Sequence, residues 1–390
     1  MTRLAVTCCA VLAPLFSIIL GNPAVAQMQN SIPIFRPSLN SDEGGLWMAV
    51  EEIEKDTQRS PLLVDDETLN AYVTDLVCRL AGRNCASVRV YILEIPVFNA
   101  TMYPNGMMNV FTGLLLRAEN EAQLAFVLGH EIGHFLERHS IQGFRKARDT
   151  NSFLAFLSLG AAGAGVNYVA DAANMIATGA FYAFNRDQER QADVHGFNAI
   201  VAHGYDPIQG AELWKAVIDE QEANPRRRAP STFAATHPSP EERVRSLTQR
   251  AYEIKAQSKE TTDGLERFRE IIQPLRSQWL ETELNRGEPE ESVALFSRLL
   301  SNETESAELQ YYLGEAYRKR GEEGDLDKAV EAFESAAGSD GVPAQVHRSL
   351  GLLAMKNGKK VAARDSLIRY LALQPEADDH EMIRFYIDQL

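Results

Sequence analysis

Cysteine is scarce: four residues in a chain of 390, too few for a disulfide-dense scaffold. The 25 Gly and 16 Pro form no periodic or low-complexity tract, so a collagen-like or largely disordered chain is excluded. Positive charge is also short. There are 39 Lys and Arg against 54 Asp and Glu, a formal net charge of -15, and no strongly basic block. Such a chain repels phosphate backbones, so nucleic acid is not an expected partner, and it lacks an electrostatic anchor for anionic lipid. What is present is an ordinary globular composition, 45% hydrophobic and 24% charged, at a length that suits two or three domains.

The four cysteines fall into two pairs. Cys8 and Cys9 lie inside the uncharged apolar stretch Leu4 to Leu20, which follows Arg3 and precedes the small residues Ala24, Val25 and Ala26. This pattern predicts an export signal over residues 1–26, cleaved after Ala26 to leave Gln27 as the mature N-terminus. The alternative is an uncleaved membrane anchor. A lipid-anchored form is not expected, because a lipidated cysteine follows the apolar core rather than lying within it. Export would place Cys78 and Cys85 in an oxidising compartment. A disulfide between them closes a small loop, worth about 2.5 kcal/mol on the chain-entropy model.

Periodicity divides the rest. Residues 27–41 lack a pattern and read as an extended arm, and a helix is expected from Asp42 to about Thr57, broken by Pro61. Leu69, Tyr72, Val73, Leu76 and Leu80 predict a second helix over Asp66–Ala81. Val88, Val90 and Ile92 alternate with polar neighbours in a strand over Ser87–Ile95. Pro104, Asn105 and Gly106 mark a turn, and Met107–Thr112 reads as a return strand. One helix is expected over Asn120–Phe144 and another over Phe181–Val201. Thr150–Ala170 is uncharged but rich in Gly and Ala, which suggests a buried or membrane-surface helical hairpin rather than a span. Asn224–Pro240 reads as a loop, with Arg226, Arg227 and Arg228 solvated.

After Gly264 the chain is helix upon helix. Leu313 and Gly314 recur as Leu350 and Gly351, close to the 34-residue period of a tetratricopeptide repeat. Ala363, Leu367 and Pro375 continue the later copy, and Ala329 and Phe333 continue the earlier one after an insertion at Glu322–Asp325. A degenerate third copy spans Trp279–Leu300, with Phe296 at the large position.

The chemistry is concentrated in His130, Glu131, Ile132, Gly133 and His134. On a helix, positions i and i+4 share a face, so both imidazoles can reach one zinc ion. Glu131 then lies beside the metal, where a general base acting on water belongs. A catalytic zinc takes three protein ligands, so a third is needed. Glu189 fits, with Asp193 one turn later placed to accept a hydrogen bond from the non-ligating nitrogen of a zinc histidine. His195 and His203 are competing candidates, whereas His139 lacks the spacing and Gly turn of a third histidine ligand.

These motifs occur in a familiar order. Asn99 with Ala100, Pro104 to Gly106, Gly113 with Leu114, Asn120 to Ala122, His130 to His134, Glu189 to Asp193 and His237 with Pro238 resemble the HtpX and CAAX-prenyl-protease type of gluzincin metallopeptidase. The likeness covers roughly Asp42 to Arg250, and some members join this domain to tetratricopeptide repeats. It implies His130, His134 and Glu189 as zinc ligands, Glu131 as general base, and Asp193 behind a ligand histidine. Asn99 and Ala100 would lie on a strand edging the cleft and pair with an extended substrate. Arg243 becomes a candidate for stabilising the developing oxyanion. His237 is the more pointed case, since its imidazole could occupy the fourth position of the zinc and keep the enzyme latent. Asn105 departs from the Pro-Gly-Gly of many relatives and leaves the turn geometry open.

The expected architecture is therefore an α+β, mainly helical, zincin-like metallopeptidase domain over residues 27–263, followed by an α-helical tetratricopeptide-repeat domain over 264–390. The resemblance implies one Zn2+ per chain and residence in a Gram-negative periplasm. It implies action on misassembled outer-membrane proteins and docking to the outer-membrane assembly machinery through the repeats; the neutral segment from Thr150 to Phe184 adds an expectation of peripheral membrane contact or of a shield over the cleft. The competing expectation is an assembly chaperone or adaptor working through the repeats, with secondary or latent proteolysis.

Overall fold

A computed structural model describes residues 36–148, 184–225, 237, 240–255, 260–339 and 341–390. The signal expected over 1–26 with Cys8 and Cys9, most of the arm, residues 150–183 of the neutral segment and the triple arginine lie outside the described residues. Among the described residues, no helix is long and apolar enough to cross a membrane.

Helix α1 (Asp42–Gln58) starts where the Ser41 side chain accepts the Gly44 N–H, and α2 (Glu67–Ala81) starts where Asp66 accepts the Leu69 N–H at 2.8 Å. Leu69, Tyr72, Val73 and Leu76 are buried, as their spacing requires. Cys78 and Cys85 are joined by a disulfide, Cα to Cα 4.5 Å, which ties α2 to the 3-10 turn Gly82–Ser87. Strands β1 (Arg89–Leu93), β2 (Ala100–Met102) and β3 (Met107–Phe111) form one sheet in the order β1-β3-β2. β3 runs parallel to β1 and antiparallel to β2, so β2 is an edge.

The turn between β2 and β3 explains Asn105. Gly106 has φ of 89°, and a Cβ there would lie 1.9 Å from the Ser87 carbonyl oxygen, so glycine is obligatory. Buried Asn105 donates to Glu54 Oε2 at 2.7 Å and accepts the Met107 N–H at 3.0 Å. Its amide thus pins the turn to α1, where a glycine could not.

After α3 (Thr112–Arg117), the central helix α4 (Glu121–Leu136) is buried along nearly its whole length, with Asn120 capping it through the Gln123 N–H. The single helix expected over Asn120–Phe144 is two. The backbone N–H groups of Glu137 and Arg138 close α4 on Gly133 and Phe135, and Arg138 takes a left-handed φ of 57°. Helix α5 (His139–Arg148) then sets off in a new direction. The break is stabilised by apolar burial: Ile141 and Phe144 pack in one cluster with Leu46 and Val50 of α1, and Arg138 pairs with Glu43.

Helix α6 (Arg186–Ala202) begins in a capping box between Asn185 and Gln188. It approaches α4 closely because glycines face it. A Cβ on Gly133 would lie 2.7 Å from His195 Cβ, and one on Gly196 2.7 Å from the Phe126 carbonyl oxygen. Helices α7 (Gln209–Glu222) and α8 (Pro240–Lys255) complete the layer around α4 and α6.

The C-terminal part stacks three helix pairs and a last helix: α9 (Leu265–Leu284) with α10 (Pro289–Asn302), α11 (Ala307–Arg320) with α12 (Asp325–Ala337), α13 (Gln345–Lys356) with α14 (Lys360–Leu373), then α15 (His380–Gln389). The recurring small and large positions meet in space, since Gly314 faces Phe333 and Gly351 faces Leu367. Phe296 of the degenerate copy is fully buried. The core does not end at residue 263. Leu76, Leu115, Phe126 and Trp214 share one hydrophobic cluster with Phe268, Trp279, Leu280 and Phe296.

Candidate metal centre

The α4–α6 packing brings the chemistry-bearing residues together. His130 and His134 project from one face of α4, with their Nε2 atoms 2.9 Å apart. Glu189, in the first turns of α6, places Oε1 3.4 Å from His134 Nε2 and Oε2 3.6 Å from His130 Nε2. Ligand atoms of a tetrahedral zinc, each about 2.0–2.1 Å from the ion, stand roughly 3.3 Å from one another. The two Glu189 distances, one from each carboxylate oxygen, come close to that spacing, and the two imidazole nitrogens stand closer together. His237 enters the same space, Nδ1 lying 3.0 Å from Glu189 Oε1 and 3.3 Å from His130 Nε2. One ligand atom each from His130, Glu131, His134 and His237 falls within 4.8 Å of the others.

The surrounding groups set protonation. Asp193 Oδ1 is 3.1 Å from His130 Nδ1, so that nitrogen carries the proton and Nε2 is left bare toward Glu189 and His134. Arg243, delivered by α8, donates to both Asp193 oxygens at 2.8 and 2.6 Å and sits 2.9 Å from Glu189 Oε2. Its guanidinium lies over Trp214, 4.4 Å from the ring centroid. All three guanidinium nitrogens therefore face carboxylates. Burial and then the Arg243 charge depress His130 to about 4. Burial would raise Glu189 and Asp193, but cationic neighbours override it, and Glu189 is held well below the usual carboxylate range.

Glu131 is treated differently. Its Oε2 accepts the Met102 N–H at 3.1 Å, while buried Oε1 has no hydrogen-bond partner and lies 3.6 Å from His237 Nε2. Burial pushes this carboxyl up to about 7. It is thus poised to take up and return a proton near neutrality. The Met102 bond also shows how the edge strand faces the site. The Asn99 carbonyl is taken by Phe111 and the Tyr103 N–H by Met107, both on β3. By strand alternation, Ala100 and Met102 turn their backbone groups away from β3, toward the side where the Met102 N–H meets Glu131. The Asn99 carbonyl is thus committed to β3, while Ala100 presents its backbone on the opposite side of β2.

The competing ligands stand elsewhere. His195 bonds Glu137 at 2.9 Å and His203 bonds its own helix at Ala199, both away from the cluster. Sequence reasoning passed over three participants. Phe184 stacks on His134 with ring centroids 3.7 Å apart, Trp214 lies under Arg243, and His139 approaches His134 Nδ1 to 2.9 Å. Phe184 and Trp214 carry no signal beyond apolarity, and His139 is concealed by the helix break before it.

A histidine pair with an intervening glutamate on buried α4, closed by a glutamate from α6, defines a metallopeptidase-type domain. Comparison with known proteins makes the class specific. Residues 64–251 match the model of peptidase family M48, and residues 279–323 and 322–378 match the tetratricopeptide repeat. The chain carries an M48 peptidase domain followed by tetratricopeptide repeats. It is 29% identical over 197 residues to Mitochondrial metalloendopeptidase OMA1 of Schizosaccharomyces pombe, covering 49% of this chain and 56% of the relative. The Arabidopsis thaliana protein of that name is 32% identical over 167 residues, 42% of this chain and 31% of its own. The Beta-barrel assembly-enhancing protease of Escherichia coli K12 is 25% identical over 252 residues, 60% and 50% respectively. The chain thus spans about half the length of these relatives, or less.

Proposed function

We propose that this protein is a zinc-dependent endopeptidase of the periplasm that degrades misassembled outer-membrane proteins and assists barrel assembly. The observation that carries the enzymatic reading is the gathering of His130, His134 and Glu189 beside Glu131, whose buried Oε1 makes no hydrogen bond and whose carboxyl is pushed up to about 7 by burial. Zinc held there would supply Lewis-acid polarisation of a scissile carbonyl and acidify water. The chain's own residues do the rest. Glu131 takes a proton from water on Oε1 and returns it to the leaving amine, while Met102 fixes the orientation of its carboxylate. The backbone groups of Ala100 and the Met102 carbonyl, which face away from β3, align an extended substrate. Arg243, with its nitrogens on carboxylates, holds Asp193 and Glu189 in place, a better fit than contact with a developing oxyanion.

Metal content measured together with casein cleavage, for wild type and Glu131→Gln, tests this. The expected result is one zinc in both and cleavage only in wild type. A mature chain purified without metal and unable to bind it would overturn the assignment.

The placement of His237 supports latency. It is 2% exposed and stands between Glu189 and Glu131, where a substrate carbonyl would have to enter. Burial lowers its affinity for a proton, but Glu189 more than offsets this and raises it. His237→Ala is expected to accelerate casein cleavage while retaining zinc. Unchanged cleavage and unchanged coordination would remove the latch. The same filled site favours a second reading, a repeat-based assembly chaperone or adaptor whose proteolysis is latent. Full rescue of barrel assembly by Glu131→Gln would establish that reading for this function. The resemblance to periplasmic, outer-membrane-directed relatives also suggests the barrel assembly machinery as the partner of the repeats.

A further inference from the structure

His139 is buried at 1% exposure, yet it belongs to no apolar cluster and takes no part in the scheme above. Its two ring nitrogens are both engaged. Nε2 lies 2.9 Å from Gln191 Oε1 on α6, and Nδ1 lies 2.9 Å from His134 Nδ1. An amide oxygen only accepts, so His139 Nε2 carries the hydrogen. A neutral imidazole has one N–H, which leaves His139 Nδ1 as an acceptor. At 2.9 Å the hydrogen between the two rings must then belong to His134 Nδ1. His134 Nε2 is consequently bare, and it faces the bare Nε2 of His130 at 2.9 Å. Two lone pairs at that distance repel one another unless a cation lies between them. The relay therefore has a meaning only toward a metal.

We propose that His139, keyed by Gln191, is a positioning residue that locks His134 in its Nδ1–H tautomer and so presents Nε2 to the metal ion. It does for His134 what Asp193 does for His130, with a neutral imidazole in place of a carboxylate. Phe184, stacked on His134 at 3.7 Å, limits rotation of the same ring. Partners of this kind typically alter metal affinity 10–100-fold. The inference rests on the zinc-site reading, and the experiment separates the two.

Zinc affinity is measured on the full mature chain by competition with a chromophoric chelator, with Co2+ absorption spectra as a second readout of ligand geometry. His139→Leu removes the acceptor and is expected to weaken zinc binding about 10–100-fold. His139→Asn, which can place its amide oxygen where Nδ1 was, restores most of that loss. Gln191→Leu weakens binding by a smaller factor, and Gln191→Glu, which keeps an acceptor, does not. Wild-type affinity and an unchanged Co2+ spectrum in folded His139→Leu would overturn the proposal. If His139→Leu does not fold, equal affinities for Gln191→Leu and Gln191→Glu overturn it instead. A wild-type chain that binds no zinc would remove the metal-site reading itself, and this inference with it.

Discussion

A second deeply buried ionic cluster lies away from the candidate metal centre and joins the peptidase domain to the repeats. Arg117, at the end of α3, is 3% exposed in its side chain and donates to Glu220 of α7 at 2.8 Å and to Glu283 of α9 at 2.8 Å. Glu283 is also gripped by Arg286, which pairs with Glu291 of α10. The Arg117 carbonyl in turn accepts from Arg298 at 3.3 Å. Replacing Arg117 by Met keeps the packing but leaves Glu220 and Glu283, 5% and 0% exposed, facing each other without their shared cation. Breaking a buried pair on one side costs about 3–5 kcal/mol. At about 2–4 °C per kcal/mol for a large cooperative unit, Tm should fall by roughly 6–20 °C. Because the core is shared, one calorimetric transition should move as a whole. The loss should also depend on pH. Burial already raises Glu220 above its usual range with Arg117 pulling it down, so the variant raises it further. A carboxyl with a raised folded pKa destabilises increasingly as pH climbs from its unfolded value, about 4.3, through the folded one. The deficit of Arg117→Met should therefore be larger at pH 8 than at pH 5. A loss under about 1 kcal/mol, a deficit independent of pH, or two transitions of which one stays fixed would refute the argument. The triple change Arg117→Met, Glu220→Gln, Glu283→Gln should recover most of the stability, as apolar or neutral replacement of whole buried networks often does.

Two further outcomes follow from single residues. Burial alone would raise Glu54, but hydrogen bonds from Arg89, Tyr91 and Asn105 and the Arg89 charge hold it below the usual range. Its contribution is complete above the unfolded carboxylate value, about 4.3, and is lost as pH falls through the folded value, so Glu54→Gln should destabilise at pH 7 and converge with wild type in acid denaturation below about pH 4. A gap between the two chains that persists to pH 2 would contradict this. Gly133→Ala forces a Cβ to within 2.7 Å of His195 Cβ and 3.2 Å of Ala192 Cα, which must part α4 from α6. We expect a loss of about 1–3 kcal/mol in urea unfolding together with weakened zinc binding, because Glu189 rides on α6; intact zinc affinity would show that the close approach does not set the ligand geometry.

Much of the site was legible because its parts are local. A helix places His130, Glu131 and His134 by spacing alone, and the polar helix α6 supplies Glu189 and Asp193 one turn apart. The repeats were legible for the same reason, since the small residues Gly314 and Gly351 and their large partners Phe333 and Leu367 are close in sequence. What escaped depends on contacts between distant segments. The core continuing past residue 263 appears only once Trp279 and Leu280 are seen beside Phe126, because apolar periodicity reports that a face is buried and not against what. The boundary at Gly264 marks a change of helical pattern within one packed body, and a chain cut there would strip Glu283 from Arg117. His139 is the sharpest case. On one unbroken helix, five residues beyond His134 would turn the ring about 140° away from it. Arg138, a non-glycine residue at φ 57°, reverses the chain and returns His139 to His134 Nδ1. Nothing in local propensity favours that conformation; the burial of Ile141 and Phe144 against α1 and the pairing of Arg138 with Glu43 stabilise it. The arm-side helix α1 therefore sets, through one strained residue, which ring stands behind His134.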